Sequence, residues 1–155
     1  MSGLIDKRLR ELQISLPEPA APAANYVPFV VSGSRVHVSG QVPVSGKGLE
    51  FQGKVGKEFS VEEGQQAARL CALNIIAQLR AAAGGDLDRV HRIVKLGGFV
   101  NCAADFDQHP AVINGASDLM VEVFGERGRH SRFAVGAPSL PFNVAVEIDA
   151  VAELA

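Results

Sequence analysis

The four residues Ser60–Val61–Glu62–Glu63 constrain this chain more than any others. Ser60 can accept from the free first-turn N–H groups while Glu63 reaches back to the cap, a capping box that starts a helix. From Val61 to about Ala83 apolar residues recur at three and four: Ala68, Ala72, Ile75, Ile76 and Leu79. Gly84-Gly85 stops the run. A second helix is predicted from about Pro110 to Phe124, since proline is tolerated in a first turn, and Gly125 ends it. Between the two helices "VHRIVKLGGFVNC" reads as one long, largely apolar strand.

Hairpins are predicted on either side of this helix–strand–helix unit. "YVPFVVSGSRVHVSGQVP" gives two valine-rich runs around Ser32-Gly33-Ser34. "SGKGLEFQGKVGKE" is a glycine-punctuated loop or ragged third strand. "SRFAVGAPSLPFNVAVEID", residues 131–149, reads as two strands joined at Pro138–Pro141. The order ββ(β)αβαββ predicts an α+β fold, one mixed sheet with both helices on one face. Its other face is left to solvent or to a partner, and small and apolar residues there favour oligomerisation.

A length of 155 residues suits one domain, and a chain of that size can bury about 70% of its unfolded surface without staples. Residues 1–24 are read as an N-terminal helix and linker. Ser2 is the expected cap, and Ile5, Leu9 and Leu12 form the stripe. The prolines of "LPEPAAPAAN" end that helix and stiffen the linker. Residues 25–155 form the main domain.

Hydrophobic residues make up 47% and charged residues 21%, a globular balance. A formal net charge of −2 gives no electrostatic footprint for nucleic acid or anionic membrane. Cys71 and Cys102 stand far apart with no CxxC, which fits buried thiols in a reducing, cytoplasmic setting. His37, His91, His109 and His130 show no HxH or HxxxH spacing, which argues against a metal site. "MSGLIDKRLRELQIS" is charged and amphipathic, unlike a signal peptide or membrane span. Gly84-Gly85 and Gly97-Gly98 sit in no phosphate-loop pattern, so no nucleotide cofactor is expected.

The last two strands raise the sharpest question. With their turn centred between Ser139 and Leu140, Arg132 would lie directly across from Glu147, about 5 Å apart at Cβ and on the helix-free face. Val144, Val146 and Ile148 would face the helices. That inference depends on the register. One reading is a solvated cross-strand ion pair, contributing at most about 1 kcal/mol. The other is a guanidinium that binds a substrate carboxylate bidentately, beside a glutamate that activates water as general base. Spacing alone leaves both open.

Other residues admit two readings as well. Arg127, Arg129 and Arg132 beside His130 form either an anion-binding rim or a solvated loop, the loop being favoured. Asp105 and Asp107 are read as helix caps rather than paired acids. Asn114 inside a helix is disfavoured by propensity, which points to a role beyond packing.

Three segments resemble the RidA/YjgF family. "SRFAVGAPSLPFNVAVEIDAVAEL" is similar to its C-terminal signature, with an arginine on the penultimate strand, a Leu-Pro turn and a final VEI strand. "HVSGQVP" resembles its SGQ segment, and "AVINGASDLMVEVFGE" its second helix with an asparagine in the first turn. The similarity spans about residues 25–155. The N-terminal helix, the longer stretch before the second helix and "GRHSRFAVG" resemble a distinct branch with an endoribonuclease-type label.

The resemblance implies a chorismate-mutase-like α+β homotrimer with ligand clefts between subunits and no cofactor. It implies hydrolysis of reactive imines and enamines, such as 2-aminoacrylate, to 2-keto acid and ammonia. By position, Arg132 would bind the substrate carboxylate and Glu147 would activate the attacking water. Gly40 and the Ala134 backbone would line the pocket, Asn114 would add a polar contact and Tyr26 would close the cleft. Family members with this activity carry cysteine where Ala134 stands, and a small residue where Phe133 stands. Alternative readings are a non-catalytic trimer that binds small carboxylates such as 2-keto acids and, last, RNA cleavage. With one tyrosine and no tryptophan the chain offers little for stacking RNA bases.

Overall fold

The computed structural model describes residues 3–21 and 24–155. Along the chain run α1 (Leu4–Glu11), β1 (Phe29–Ser32), β2 (Arg35–Gln41), β3 (Val44–Ser45) and β4 (Gly48–Leu49). They are followed by α2 (Val61–Ala82), β5 (Val90–Asn101), α3 (His109–Phe124), β6 (Ser131–Ala137) and β7 (Val146–Leu154). The fold is α+β: a five-stranded mixed sheet in the order β1-β2-β7-β5-β6, with β3 and β4 as a separate ribbon. The ragged third strand is thus a small hairpin off the main sheet.

The long helix starts as expected. Ser60 Oγ accepts from the Glu63 N–H at 3.2 Å, and the Glu63 carboxylate accepts from the Ser60 N–H at 3.1 Å. Its buried stripe, including Ala68, Ala72, Ile75, Ile76 and Leu79, lies in one core with Val112, Ile113, Ala116, Leu119 and Met120 of α3. Val36, Val38, Ile93, Leu96, Val146 and Ile148 supply the sheet side of that core. Burying such an aliphatic side chain contributes about 1.5–3 kcal/mol.

The expected caps of the other helices differ. Asp105 and Asp107 do not cap α3; Gln108 holds the N-cap position without a side-chain bond, and Pro110 occupies the first turn. Ser2 lies outside the described residues. Gly3 is the N-cap of α1, and Asp88 accepts from the N–H groups of Leu4 and Ile5, both at 2.9 Å. These bonds to the ionised form hold the Asp88 carboxyl below its usual range. The helix then ends at Leu12, with Gln13 in the left-handed region, ahead of the prolines.

The predicted last hairpin does not form. β6 pairs with β5 in parallel, β7 pairs with β5 antiparallel, and β5 lies between them. The reason is backbone accounting. β5 is long and largely buried, so both of its hydrogen-bonding edges need partners. The α3 crossover returns β6 parallel to β5, as parallel pairing requires. Residues 138–145 then carry the chain past the end of β5, with Phe142 and Asn143 at φ 58° and 59°. Asn101 secures the passage: it is fully buried, its Nδ2 donates to the Val144 carbonyl at 3.1 Å and its N–H to the Ala145 carbonyl at 2.8 Å. β7 enters on the other side of β5.

Candidate functional site

Arg132 and Glu147 therefore do not face each other. Arg132 is in register with Leu96, a core residue, so its side chain leaves the sheet on the helix side. Glu147 is in register with Phe99, which is exposed on the opposite face. A strand and a sheet thickness separate them. The cross-strand ion pair of the sequence reading is excluded with the hairpin that required it.

Arg132 is fixed by α3. Its Nη1 donates to Ser117 Oγ at 3.0 Å and its Nη2 to the Pro110 carbonyl at 3.3 Å. His130 Nδ1 lies 2.6 Å from the Gly128 carbonyl, and His130 Nε2 lies 2.9 Å from Ser117 Oγ. A carbonyl can only accept, so the ring hydrogen sits on Nδ1, and Nε2 accepts the Ser117 hydroxyl hydrogen. Ser117 thereby keeps a lone pair for Arg132. Burial, followed by the Arg132 charge, lowers the His130 pKa and favours this neutral ring, although the Gly128 carbonyl works against them.

The two bonds to α3 take two of a guanidinium's five donors. Arg132 lines a surface groove with Asn114, Ser117, Asp118, Arg129 and His130. Ala134 lies two residues along the same strand, on the same side. β6 is an edge strand, so alternate backbone groups beside Arg132 have no ladder partner. The geometry suits a planar anion, with the guanidinium held and its free edge outward.

The arginine rim, the less favoured of the two readings, does not assemble as a set of three. Arg127 turns inward, its Nη1 donating to the carbonyls of Asp88 and Val90 at 3.2 and 3.0 Å. Arg129 pairs with Glu126 on an exposed turn.

Glu147 belongs to a second cluster. It is half-buried on the uncovered face, and burial, then the neighbouring Asp149 carboxylate, raises its pKa. A carboxylate so placed is a better proton acceptor than a solvated one. Gly40 lies against it: a Cβ there would stand 2.5 Å from Glu147 Oε1. Gly40 sits where the β2–β7 register shifts, between Val38 and Gln41. The local irregularity turns this glycine toward the glutamate, and any side chain would push the carboxylate away.

Tyr26 joins Gly40 in lining a neighbouring cavity, together with Ser39, Gln41, Asn74 and Gln78. Ser39 straps the tyrosine segment down, its N–H donating to the Pro28 carbonyl at 2.9 Å and its Oγ to the Val27 carbonyl at 2.8 Å. The six candidate residues thus fall into two groups in one protomer: Arg132, Asn114 and Ala134 beside α3, and Glu147, Gly40 and Tyr26 around β2 and β7. Ser117 and His130 were not singled out from sequence as partners of Arg132. The signal available was weak, a histidine two residues before the arginine.

Beside Glu147, the uncovered face carries an apolar patch. Phe99 and Val135 are in register and are 39% and 43% exposed. The Phe133 ring meets Phe99 edge-on at 5.3 Å. Among the described residues no three His, Cys, Asp or Glu side chains converge as a metal site would require, and no helix is long and apolar enough to cross a membrane. Cys71 and Cys102 are both free and buried. Cys102 has a polar neighbour, for His109 Nε2 lies 3.4 Å from its sulfur.

Known proteins share this fold. The family described as "YjgF/chorismate mutase-like, putative endoribonuclease" matches residues 6–154. Protein TCP17 of Trypanosoma cruzi is 53% identical over 154 residues, 99% of this chain and 96% of its own. The crystal structure of protein Atu1372 of Agrobacterium tumefaciens, of unknown function, is 49% identical with a TM-score of 0.91, covering 98% of this chain and 94% of that one. Escherichia coli TdcF, solved with bound serine, is 25% identical with a TM-score of 0.61, covering 92% and 97%. With the family match spanning nearly its whole length and a relative sharing more than half its residues, the chain belongs to the RidA/YjgF family, within the YjgF/chorismate mutase-like group.

Proposed function

We propose that this chain hydrolyses small reactive 2-imino acids, such as 2-iminopropionate from 2-aminoacrylate, to the 2-keto acid and ammonia. The reaction takes place in clefts between the subunits of a homotrimer. The observation that carries this reading is the division of the candidate residues. Arg132 and Glu147 leave one sheet on opposite faces, so a single protomer offers an anion receptor and a base that cannot reach one ligand together. A second copy supplies the missing half. The exposed Phe99–Val135 patch gives the copies an apolar surface to bury, and the serine bound to TdcF shows a relative holding a small amino acid.

In the assembled cleft, Arg132 takes the substrate carboxylate through its free donors, with Asn114 and the Ala134 backbone beside it. Glu147 of the next copy, set by Gly40, takes a proton from water as the oxygen attacks the imine carbon. Glu147 returns that proton to the nitrogen, giving the neutral carbinolamine. This collapses to the 2-keto acid as Glu147 passes its hydroxyl proton to the departing nitrogen; ammonia leaves, and Tyr26 closes the cleft over the reaction. Because the imine is already electrophilic, orientation and one proton relay suffice. No cofactor enters the reaction.

The test is hydrolysis of freshly generated 2-iminopropionate, trapped with semicarbazide, by wild type and Arg132→Ala, with sedimentation to report assembly. Acceleration by wild type that disappears in a variant of unchanged mass establishes the reading. A wild type that binds 2-keto acids, shown by a rise in Tm, but accelerates none of several imino acids is a binding module instead. Full activity in Arg132→Ala overturns the assignment of the anchor.

A further inference from the structure

A second chemical cluster lies outside both groups. At the end of β5, Cys102 Sγ stands 3.4 Å from His109 Nε2 on the first turn of α3. The His109 ring is held edge-on by Phe106, 5.2 Å between centroids. Facing the pair is Gly136 of β6, where a Cβ would lie 2.5 Å from His109 Nε2 and 2.9 Å from Cys102 Sγ. Any side chain there would press on both the ring and the sulfur, so the glycine lets the pair keep its contact.

Lys54 completes the cluster. Its ammonium donates to Asn101 Oδ1 at 2.7 Å and to the Pro138 carbonyl, and Asn101 is itself fully buried. Lys54, Cys102, Phe106, His109 and Gly136 line one cleft of about 440 Å³. Burial raises the thiol pKa and the Lys54 charge offsets this in part. The thiol therefore rests protonated and needs a base to react.

We propose that Cys102 is a nucleophile that captures small α,β-unsaturated carbonyl compounds, with His109 as its base and Lys54 as the anchor for the carbonyl oxygen. Sulfur bonds to the β-carbon while the S–H proton passes to His109 Nε2. The C=C electron pair moves onto the carbonyl as an enolate beside the Lys54 ammonium. His109 then returns the proton to the α-carbon, leaving a neutral thioether with no other reactant needed. A carbonyl acceptor suits this cleft because a base and a fixed cation line it together with the thiol. Cys71, fully buried with its sulfur against the Val146 carbonyl at 3.5 Å, is the internal comparison.

The experiment treats the folded, full-length protein with acrolein and, separately, N-ethylmaleimide, and follows adducts by intact mass and peptide mapping. One fast adduct on Cys102 is expected, with Cys71 unmodified. Cys102→Ser should remove it. His109→Gln should slow it on the order of 100-fold, the usual contribution of a positioned base, with an unchanged circular dichroism spectrum. Should His109→Gln fail to fold, Lys54→Met serves in its place, and the expectation is slower reaction with acrolein at an unchanged rate with iodoacetamide. A wild-type Cys102 that reacts no faster than Cys71, or a folded His109→Gln that reacts at the wild-type rate, overturns the proposal. None of these readouts depends on imine hydrolysis, so the two proposals fail separately.

Discussion

Ser117 Oγ stands 3.0 Å from the Arg132 guanidinium and 2.9 Å from His130 Nε2, and one hydroxyl hydrogen sets the direction of that chain. The hydroxyl gives its hydrogen to the ring and its lone pair to the guanidinium. Arg132 is thus held by a helix rather than by its own strand.

Ser117→Ala should therefore weaken carboxylate binding without touching the chemistry. Losing one hydrogen bond to a charged group should raise KM for 2-iminopropionate about tenfold and leave kcat near wild type. Steady-state kinetics over a range of imine concentrations would show it. An unchanged KM would mean that the Pro110 carbonyl alone positions the arginine.

His130 gives the site a pH dependence of known sign. Burial, then the Arg132 charge, lowers its pKa from 6.5, so the folded state binds its proton less readily than the unfolded state. Stability is present above pH 6.5 and is lost as pH falls through the lowered native value. Once protonated, Nε2 becomes a donor and competes with Arg132 for the Ser117 oxygen. Tm and carboxylate affinity should fall together on the acid side of 6.5, and His130→Gln should flatten both profiles. Differential scanning calorimetry across pH 5 to 8 reads the first, and ligand titration the second.

Gly40→Ala places a methyl group within 2.5 Å of Glu147 Oε1. The expected destabilisation is about 1–3 kcal/mol, the range for overpacking, and activity should fall with it as the carboxylate is displaced. Glu147→Gln should abolish the proton relay, lowering kcat by about 100-fold or more. Because the two groups touch, Gly40→Ala combined with Glu147→Ala should destabilise by less than the sum of the two. Strict additivity in chemical denaturation would show that the contact is not tight.

Phe99→Glu puts a charge into the uncovered apolar patch. If copies bury that patch, the variant should sediment as a monomer and lose imine hydrolysis, although each protomer keeps all of its own site residues. Wild-type assembly and activity in Phe99→Glu would place the interface elsewhere.

Much of the fold is legible in local pattern. The Ser60–Glu63 capping box, the apolar repeat along α2 and the long β5 all appear where the sequence places them, because each depends on residues within a few turns or steps of one another. Six candidate site residues were named from the C-terminal signature and its companions, and the structure collects them into two groups of three.

Pairing was not legible. Arg132 and Glu147 are fifteen positions apart on strands whose spacing suits a hairpin, and nothing in that stretch announces that β5 will come between them. The outcome was decided by β5, before the second helix, whose buried backbone required partners on both edges. Cys102 and His109 likewise met through the turn into α3, a contact that no ligand-spacing rule describes. Sequence by itself determined the elements and the chemical groups they carry, since short-range sterics, capping and periodicity are properties of neighbouring residues. The tertiary structure decided which face and which neighbour each group received, because satisfying every buried N–H and carbonyl is a condition on the whole sheet at once.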